Sequence, residues 1–328
     1  MLKNKKIAII GAGMSGLTLA NNLSKTNKID IFDKSRGIGG RMATRRNDDY
    51  HFDHGAQYFT AKTKEFSDFC QNMMTNDIID IWSAKYVEIN NYQMSDAKNI
   101  SKTYPYFISK PQMNNLCKYL AKDFNMILKS EIKKMEFLNH KWILATDDYE
   151  YKDYDYLFIT IPSDQAVNLL PEDFKYYDLV KNIKMLACYT LMLGFKDKLN
   201  IPFEAARINN SPLEWIAVNN SKSLRPDVCA ITINSSNLWA KKNLDHDIGQ
   251  VKEIMLNELA KIITFSKSDL EVNNIHRWRY ANAENRDDKN TKSLFDEKLK
   301  LGISGDWLIG GRVENAYLSA LDLARKLG

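Results

Sequence analysis

A glycine-rich turn near the amino terminus constrains the fold more than any other part of the sequence. The segment KIAII at 6–10 is an aliphatic run typical of a parallel strand that is covered on both faces. The next segment, MSGLTLANNLSK, has apolar residues at helical spacing, so GAGMSG at 11–16 joins a predicted strand to a predicted helix. In such a turn Gly11 permits the tight reversal, Gly13 lets backbone N–H groups approach a pyrophosphate, and Gly16 allows close packing of the helix on the strand.

A carboxylate in the next strand extends this pattern. The segment KIDIFDK predicts a second strand, and it places Asp33 22 positions after Gly11. A carboxylate at this spacing can bind the ribose hydroxyl groups of a dinucleotide. An acidic residue there disfavours a 2′-phosphate, so the pattern indicates the adenosine diphosphate part of FAD or NAD. A glycine turn without a ligand is the alternative for this pattern taken alone.

A second glycine cluster follows in the segment KSRGIGGRMATRR at 34–46. Gly37, Gly39 and Gly40 permit backbone conformations that are closed to other residues. The loop therefore predicts contact with an anion, and a solvated basic loop is the alternative for its last two arginines. Four arginines supply charge-assisted donors for that anion, namely Arg36, Arg41, Arg45 and Arg46.

The carboxyl-terminal segment repeats the arrangement of a strand followed by a helix. LKLGISGDW predicts a strand that ends at Gly305 and Asp306, and VENAYLSALDLARKL predicts the terminal helix. Asp306 could accept a hydrogen bond from a ribityl hydroxyl group, while the start of the helix offers N–H groups and a partial positive charge. That charge would favour hydride transfer to a flavin, because reduction places negative charge on the N1/C2=O edge. A purely structural loop aspartate is the alternative for Asp306.

Four segments, in this order, resemble the renalase branch of the FAD-dependent amine oxidase superfamily: GAGMSG, IFDKSRGIGGRMATRR, FDHGAQYFTA and GDWLIGGRVENAYLSAL. DYLFITIP at 155–162 and WRYA at 278–281 extend the resemblance along the chain. The resemblance implies an α/β flavoprotein of the two-domain flavin oxidase type, in which a Rossmann-like FAD-binding domain is interleaved with a sheet-based α+β substrate domain. We expect residues 1–80, 105–165 and 275–328 in the FAD-binding domain, and 81–104 and 166–274 in the substrate domain.

The resemblance also implies residues that hold a noncovalently bound FAD. The first glycine cluster would hold the pyrophosphate, Asp33 the adenosine ribose, and Arg41 the phosphates or the ribityl chain. Backbone near Ile132 would meet the adenine, and Gln57 and Tyr58 would lie beside the flavin. No cysteine stands near these motifs to favour a covalent linkage. The full cofactor-binding set implied in this way is Gly11, Gly13, Ser15, Gly16, Asp33, Lys34, Gly39, Gly40, Arg41, Gln57, Tyr58, Ile132 and Asp306.

The remaining patterns place further elements. A helix is predicted from Pro111, followed by a pair of strands, and YDYLFITIP at 154–162 predicts a further buried strand that returns the chain to the parallel sheet. The strand-like runs MLACYTLMLGF, LEWIAVNN and VCAITIN predict a second sheet. The segment DIGQVKEIMLNELAKII predicts an amphipathic helix, for which packing on a core is favoured over binding a partner. Its expected apolar face is Ile248, Val251, Ile254, Met255 and Leu259.

Composition excludes several classes of function. The 46 lysines and arginines exceed the 41 acidic residues by only 5 and form no basic block, so nucleic acid is not an expected partner. No apolar stretch approaches the roughly 18 residues of a membrane span, and the first residues are expected to belong to the mature protein. The four cysteines stand apart, which indicates a reducing cytoplasm. His51 and His54 flank Phe52 and Asp53, but in a strand they would point to opposite faces and no Cys or further His completes a site, so no metal site is expected.

The resemblance implies oxidation of 2- or 6-dihydro isomers of NAD(P), with hydride transfer to flavin N5 and reoxidation by O2 to H2O2. The expected partner is therefore a small molecule, a dihydronicotinamide dinucleotide. Such a substrate becomes an aromatic pyridinium and needs little acid–base help, so positioning is most of the work. No catalytic residue is assigned, and Tyr58, His276 and Trp278 are candidates for the walls of the pocket.

Two alternatives remain open at the level of sequence. Family members tend towards a His-Ala-Ser-Pro-Glu-Trp-Ser pattern where this chain has INSSNLWAKK, with Asn234 and Ala240 at the first and last members. This departure leaves open an amine oxidase of the same superfamily. From another class, the chain could be a non-catalytic flavin- or NAD-binding redox sensor.

Overall fold

The computed structural model describes residues 2–100, 103–284 and 290–328. Short 3-10 turns lie at Ser24–Thr26, Asn219–Ser221, Lys267–Asp269 and Asp306–Leu308. In chain order the helices are α1 (Met14–Leu23), α2 (Lys64–Thr75), α3 (Asn115–Ala121), α4 (Ser163–Val167), α5 (Tyr177–Asn182), α6 (Asn237–Lys242), α7 (Ile248–Leu259) and α8 (Val313–Lys326). The strands are β1 (Lys6–Ile10), β2 (Lys28–Asp33), β3 (Thr44–Asn47), β4 (Tyr50–Asp53), β5 (Ile79–Ile81), β6 (Lys85–Asn90), β7 (Gln93–Met94), β8 (Lys98–Asn99), β9 (Phe107–Ser109), β10 (Asn125–Leu128), β11 (Lys134–Leu138), β12 (Lys141–Ala145), β13 (Glu150–Tyr154), β14 (Tyr156–Ile159), β15 (Met185–Phe195), β16 (Ala205–Asn209), β17 (Leu213–Val218), β18 (Cys229–Ser235), β19 (Leu270–Ala283), β20 (Ser293–Asp296) and β21 (Leu301–Ser304).

The chain divides into two compact units, and neither is one continuous segment. The first unit is Met1–Arg41, Leu116–Met185 and Asn282–Gly328, and the second is Met42–Asn115 and Leu186–Ala281. These boundaries differ from the expected domain boundaries. Residues 42–80, 105–115 and 275–281, expected in the FAD-binding domain, fall in the second unit, and 166–185, expected in the substrate domain, fall in the first. Buried ion pairs tie β4 into the second unit, and α4 and α5 pack into the core of the first.

A six-stranded sheet of order β10-β2-β1-β14-β21-β20 organises the first unit. The strands pair in parallel except β20, which runs antiparallel to β21. The predicted strand, helix and second strand at the amino terminus form β1, α1 and β2, and β14 returns beside β1 as predicted. β1 and β14 are neighbours, and the next strands of the sheet lie on opposite sides of this pair, β2 beside β1 and β21 beside β14. An open α/β sheet binds ligands at the carboxyl ends of the strands where the strand order reverses in this way.

The helix predicted from Pro111 begins instead at Asn115. A turn precedes it, in which the Asn115 amide Nδ2 donates to the carbonyl oxygen of Lys110 over 2.8 Å. The N–H of Met113 donates to Thr44 Oγ1 over 2.9 Å rather than to a helical carbonyl. The local turn and the tertiary hydrogen bond to Thr44 together replace the helix that was predicted over 111–114.

An eight-stranded sheet organises the second unit, with the order β19-β15-β18-β17-β16-β6-β7 and with β8 paired to β6. The strand-like runs of the middle of the sequence form β15, β17 and β18, as predicted. One face of this sheet is apolar and packs with α6 and α7 into a core that includes Ile216, Ile233 and Leu191. The other face carries polar and aromatic residues, which are described below.

Helix α7 packs on this core, as predicted, but its buried face is narrower than expected. Val251, Met255 and Leu259 are buried, and Leu256 joins them. Ile248 and Ile254 are exposed, so the prediction that both lie on the packed face is wrong. Helical rotation of 100° per residue carries these two side chains to the edge of the apolar stripe. Among the described residues, no helix has both the length and the apolar character that crossing a membrane requires.

Candidate functional site

The two glycine clusters lie side by side in the first unit. Gly13 and Gly39 form a parallel bridge, and the N–H of Gly39 donates to the carbonyl oxygen of Ala12 over 3.0 Å. Gly39 and Gly40 have φ values of +124° and +54°, in the region that favours glycine. The second cluster therefore lies against the first, at the carboxyl end of β1.

The start of α1 faces open space at Gly13. A side chain added at Gly13 would have no atom of the described chain within 4 Å, whereas one added at Gly16 would overlap the carbonyl oxygen of Gly11. No side chain in the described parts of the chain caps α1. A helix start with uncapped N–H groups next to open space can bind an anion such as a pyrophosphate.

Asp33 lies at the edge of the same turn. Its carboxylate accepts from the N–H of Ala12 over 2.8 Å and from the N–H of Ser35 over 2.7 Å. These bonds fix the carboxylate at the end of β2 and leave lone pairs for other donors. Lys34 is exposed and lies 3.8 Å from Glu131.

The segment before Ile132 runs beside Asp33. The N–H groups of Lys129 and Ser130 donate to the carbonyl oxygens of Ser35 and Asp33, each over 3.0 Å. The Ile132 side chain is buried in the core of the unit. A ligand beside Asp33 could therefore meet only the backbone of Ile132, which is the part that the resemblance implicates.

Arg41 and Asp306 form a bidentate ion pair within the first unit. One guanidinium nitrogen of Arg41 donates to Asp306 Oδ2 over 3.0 Å, and the other donates to Oδ1. The Asp306 side chain is 6% exposed, whereas that of Arg41 is 30% exposed. The hydroxyl group of Ser15, in α1, forms a hydrogen bond of 2.8 Å with the hydroxyl group of Ser304, the last residue of β21. Sequence reasoning picked out Arg41 and Asp306 separately but did not foresee that each fixes the other.

These residues of the first unit fit a dinucleotide cofactor. Open space at Gly13 and an uncapped helix suit the pyrophosphate, and the Asp33 carboxylate suits a ribose. Arg41 supplies a fixed, partly exposed cation for a phosphate or a polar chain. The individual contacts that the resemblance implies remain predictions.

In the second unit Gln57 belongs to a buried amide cluster. Gln57 is 4% exposed, and its Nε2 donates to Asn234 Oδ1 over 3.1 Å. The Thr190 hydroxyl donates to the same oxygen over 3.2 Å. Two donors therefore fix the orientation of the Asn234 amide, and Asn234 fixes that of Gln57.

Tyr58 belongs to an aromatic cluster next to these amides. Its ring stacks on Tyr106 with centroids 3.8 Å apart and lies 5.2 Å from the ring of Trp215. Burial and then Tyr106 raise the pKa of Tyr58, so its phenol stays protonated. Arg207 counters this shift, which places a positive charge beside the cluster.

His276 and Trp278 form a separate cluster with His54. The ring centroids of His276 and Trp278 are 4.4 Å apart, and Trp278 Nε1 donates to the His54 carbonyl oxygen over 2.8 Å. Burial, then His276 and Arg45, lower the pKa of His54 to about 4. Burial and Arg45 also lower the pKa of His276. Both imidazoles are therefore neutral at pH 7.

A buried ion cluster beside these residues was missed by sequence reasoning. Asp53 Oδ2 accepts from Lys222 over 3.0 Å and from Arg225 over 2.8 Å, and the side chains of Asp53 and Lys222 are 0% exposed. Burial alone would raise the pKa of Asp53, but Lys222 and Arg225 lower it to about 2. The cations come about 170 positions later in the chain, so no local signal could have paired them with Asp53.

No group of three or more His, Cys, Asp or Glu within the described ranges could hold a metal ion. His51 lies on β4 and His54 just after it, and the ring of His54 faces His276.

Comparisons with known proteins agree with this fold. Residues 9–73 match the family model of an NAD(P)-binding Rossmann-like domain. A provisionally assigned protoporphyrinogen oxidase from Exiguobacterium sp. 255-15 superposes with a TM-score of 0.78 at 11% identity, covering 100% of this chain and 99% of that one. Putrescine oxidase superposes with a TM-score of 0.71 at 10% identity, with 99% of each chain covered. The chain therefore has the two-domain fold of flavin oxidases, and the predicted fold class is confirmed.

Mouse renalase is similar to this chain along its whole length. The two are 22% identical over 348 residues, which covers 98% of each. A 4,4′-diapophytoene desaturase of Staphylococcus aureus is 33% identical over 88 residues, but these cover only 24% of this chain and 18% of the desaturase. The resemblance to the renalase branch that the motifs predict is thereby confirmed.

Proposed function

We propose that this protein is an FAD-dependent oxidoreductase of the renalase type that oxidises 2- or 6-dihydro isomers of NAD(P). The assignment of the cofactor rests on one observation: the two glycine clusters lie together beside open space at the uncapped start of α1. Similarity to renalase over 98% of both chains supports the class of reaction.

The glycine clusters, Asp33, Arg41 and Asp306 would hold a flavin, whose chemistry would be hydride acceptance and two-electron transfer to O2. In the overall reaction, the dihydropyridine, O2 and one proton would give a pyridinium and H2O2. The residues of this chain would mainly bind and orient. Removal of a hydride from a dihydropyridine requires no base, because loss of the hydride alone gives the aromatic pyridinium and no proton has to leave, so positioning is the main task. The neutral imidazoles of His54 and His276 and the protonated phenol of Tyr58 agree with such a reaction at pH 7.

Noncovalent binding of FAD and residence in the cytoplasm are part of this proposal. The four cysteines are all buried, so none is presented for linkage to a cofactor. We expect acid precipitation of the purified yellow protein to release FAD into solution. A colourless protein that FAD cannot reconstitute would contradict the proposal.

Anaerobic stopped-flow spectroscopy tests the substrate. Mixing with 2- or 6-dihydroNAD(P) should bleach the flavin within seconds, whereas ordinary 4-dihydroNAD(P)H should act at least about 100-fold more slowly, because a misplacement of about 1 Å costs that much. Faster reduction by an amine such as putrescine would make the protein an amine oxidase. Retention of FAD without reduction by any of these compounds would favour a redox sensor.

A further inference from the structure

The second face of the eight-stranded sheet carries a row of functional side chains. Arg207 on β16 pairs in register with Trp215 on β17, Trp215 pairs with Asn234 on β18, and Asn234 pairs with Thr190 on β15. Cross-strand partners point to the same face of a sheet, so these side chains form a continuous line. The neighbours Ile216 and Ile233 point to the opposite face and belong to the apolar core.

Two buried polar atoms along this line have no partner within the described chain. The first is the acceptor Oε1 of Gln57, whose Nε2 is held by Asn234. The second is the donor Nε1 of Trp215, the cross-strand neighbour of Asn234. Buried polar groups in proteins are nearly always hydrogen-bonded, and leaving one unpaired is costly. The unpaired acceptor and the unpaired donor both neighbour Asn234. They therefore indicate a ligand that carries a hydrogen-bond donor for Gln57 Oε1 and an acceptor for Trp215 Nε1.

We propose that Gln57 and Trp215 form a subsite that recognises the carboxamide of the dihydronicotinamide substrate, an inference that rests on the proposed function. The carboxamide NH2 would donate to Gln57 Oε1, and its carbonyl oxygen would accept from Trp215 Nε1. A primary amide carries both the donor that Gln57 Oε1 lacks and the acceptor that Trp215 Nε1 lacks. Asn234 acts as a positioning residue, because its Oδ1 holds Gln57 Nε2 and thereby frees Oε1 for the ligand.

The surroundings of the two atoms suit the rest of a nicotinamide nucleotide. The stacked rings of Tyr58 and Tyr106 lie against Trp215 and offer an aromatic surface for a planar ring. Arg207 is exposed and next to Trp215 in register, so it offers a positive charge for a phosphate. The same amide chemistry exists on the pyrimidine ring of a flavin, which is therefore the competing source of the group that satisfies Gln57.

Oxidised dinucleotides test the subsite without any turnover. The flavin-loaded protein would be titrated with NAD+, with 3-acetylpyridine adenine dinucleotide, which keeps the carbonyl but lacks the NH2, and with nicotinic acid adenine dinucleotide, which carries a carboxylate. Perturbation of the flavin absorbance reports binding. We expect each analogue to bind about tenfold more weakly than NAD+, because each loses the hydrogen bond to Gln57. Equal affinities for all three would overturn the proposal, and this comparison requires only the wild-type protein.

Two variants assign the bonds to residues. Gln57→Met should remove the preference for NAD+ over the acetylpyridine analogue. Trp215→Phe keeps an aromatic ring and should weaken both ligands about tenfold while leaving the preference intact. Asn234→Leu should reduce the preference as Gln57→Met does, since it releases the Gln57 amide. Thermal unfolding of each variant shows whether it has folded. If Gln57→Met fails to fold, Trp215→Phe still tests the subsite, and unchanged binding of both ligands in that variant would overturn the proposal.

The remaining outcomes separate this proposal from the proposed function. Reduction of the flavin by dihydronicotinamides together with an unchanged NAD+ preference in Gln57→Met would overturn the subsite but retain the function. Loss of FAD or a shifted flavin spectrum in Gln57→Met, again with an unchanged preference, would assign Gln57 to the cofactor and overturn the subsite. No reduction by any dihydronicotinamide and no binding of NAD+ would overturn both.

Discussion

At the scale of single residues, the same amino acid serves opposite purposes within one turn. Gly16 is required because a side chain would collide with the backbone of Gly11, which is a packing constraint. Gly13 meets no such constraint, because a side chain there would enter open space. The packing role predicted for Gly16 is confirmed, and the pyrophosphate contact predicted for Gly13 stays a prediction. Packing therefore does not explain the glycine at position 13, and the open space beside it leaves room for a ligand.

Substitution of Gly13 should therefore remove the cofactor and leave the fold intact. We expect Gly13→Val to abolish retention of FAD, because the branched side chain would fill the space of the pyrophosphate. Gly37→Val is the matched control, since a side chain at Gly37 also has no neighbour within 4 Å but lies in the exposed part of the second cluster. The ratio of flavin to protein absorbance measures both. Equal flavin content in the two variants would show that the pyrophosphate does not lie at Gly13.

The pair of Arg41 and Asp306 predicts coupled effects on the same cofactor. Asp306→Ala should weaken FAD retention by about 1–3 kcal/mol, the cost of a lost charge-assisted hydrogen bond. Arg41→Gln should weaken it by a similar amount, because either change releases the other side chain. The double variant should lose less than the sum, with a coupling of about 0.5–3 kcal/mol. Strictly additive losses of FAD affinity would mean that the two residues act independently.

At the scale of elements, local sequence patterns predicted the strands and helices better than they predicted which distant residues contact each other. The segments that form β1, α1, β2, β14 and α8 were identified because their hydrophobic periodicity and glycine turns are local signals. The start of α3 was misplaced because Met113 donates to Thr44, a residue distant in sequence. The assignment of 42–80 differed for the same reason, since Asp53 finds its partners in Lys222 and Arg225. Pairing across long sequence separation leaves no trace in a local window.

The buried ion cluster around Asp53 should be required for the stability of the second unit. Asp53→Asn leaves Lys222 and Arg225 buried without a counter-charge, so we expect a loss of about 3–5 kcal/mol in the free energy of unfolding. Urea denaturation measures this loss. Asp227→Asn is the control, because Asp227 pairs with Lys198 at an exposed site and should change stability little. A double variant, Asp53→Asn with Lys222→Met, should recover part of the loss, and no recovery would argue against the charge as its cause.

At the scale of the whole molecule, the candidate functional residues are divided between the two units. The glycine clusters, Asp33, Arg41 and Asp306 lie in the first unit, whereas Gln57, Tyr58 and Trp215 lie in the second. The chain passes four times from one unit to the other. Each unit therefore depends on segments that are distant in sequence, and neither could be excised as one continuous piece. Boundaries of this kind depend on tertiary contacts, which is why sequence patterns placed them only approximately.

The histidines of the second unit make a final prediction about the stability of the whole protein. The pKa of His54 is about 4 in the folded protein, against 6.5 for the ordinary side chain, because of burial and the nearby His276 and Arg45. Between these two values the unfolded chain binds more protons than the folded one, so stability falls as the pH falls. His54 alone should remove about 1–2 kcal/mol between pH 7 and pH 5, and His276, whose pKa is also lowered, should add to this loss. Urea denaturation of the wild type and of His54→Gln at both pH values measures the difference, which should shrink in the variant. His140→Gln, at an exposed position, should leave it unchanged. An identical pH dependence in the wild type and His54→Gln would show that His54 is not held neutral by its burial.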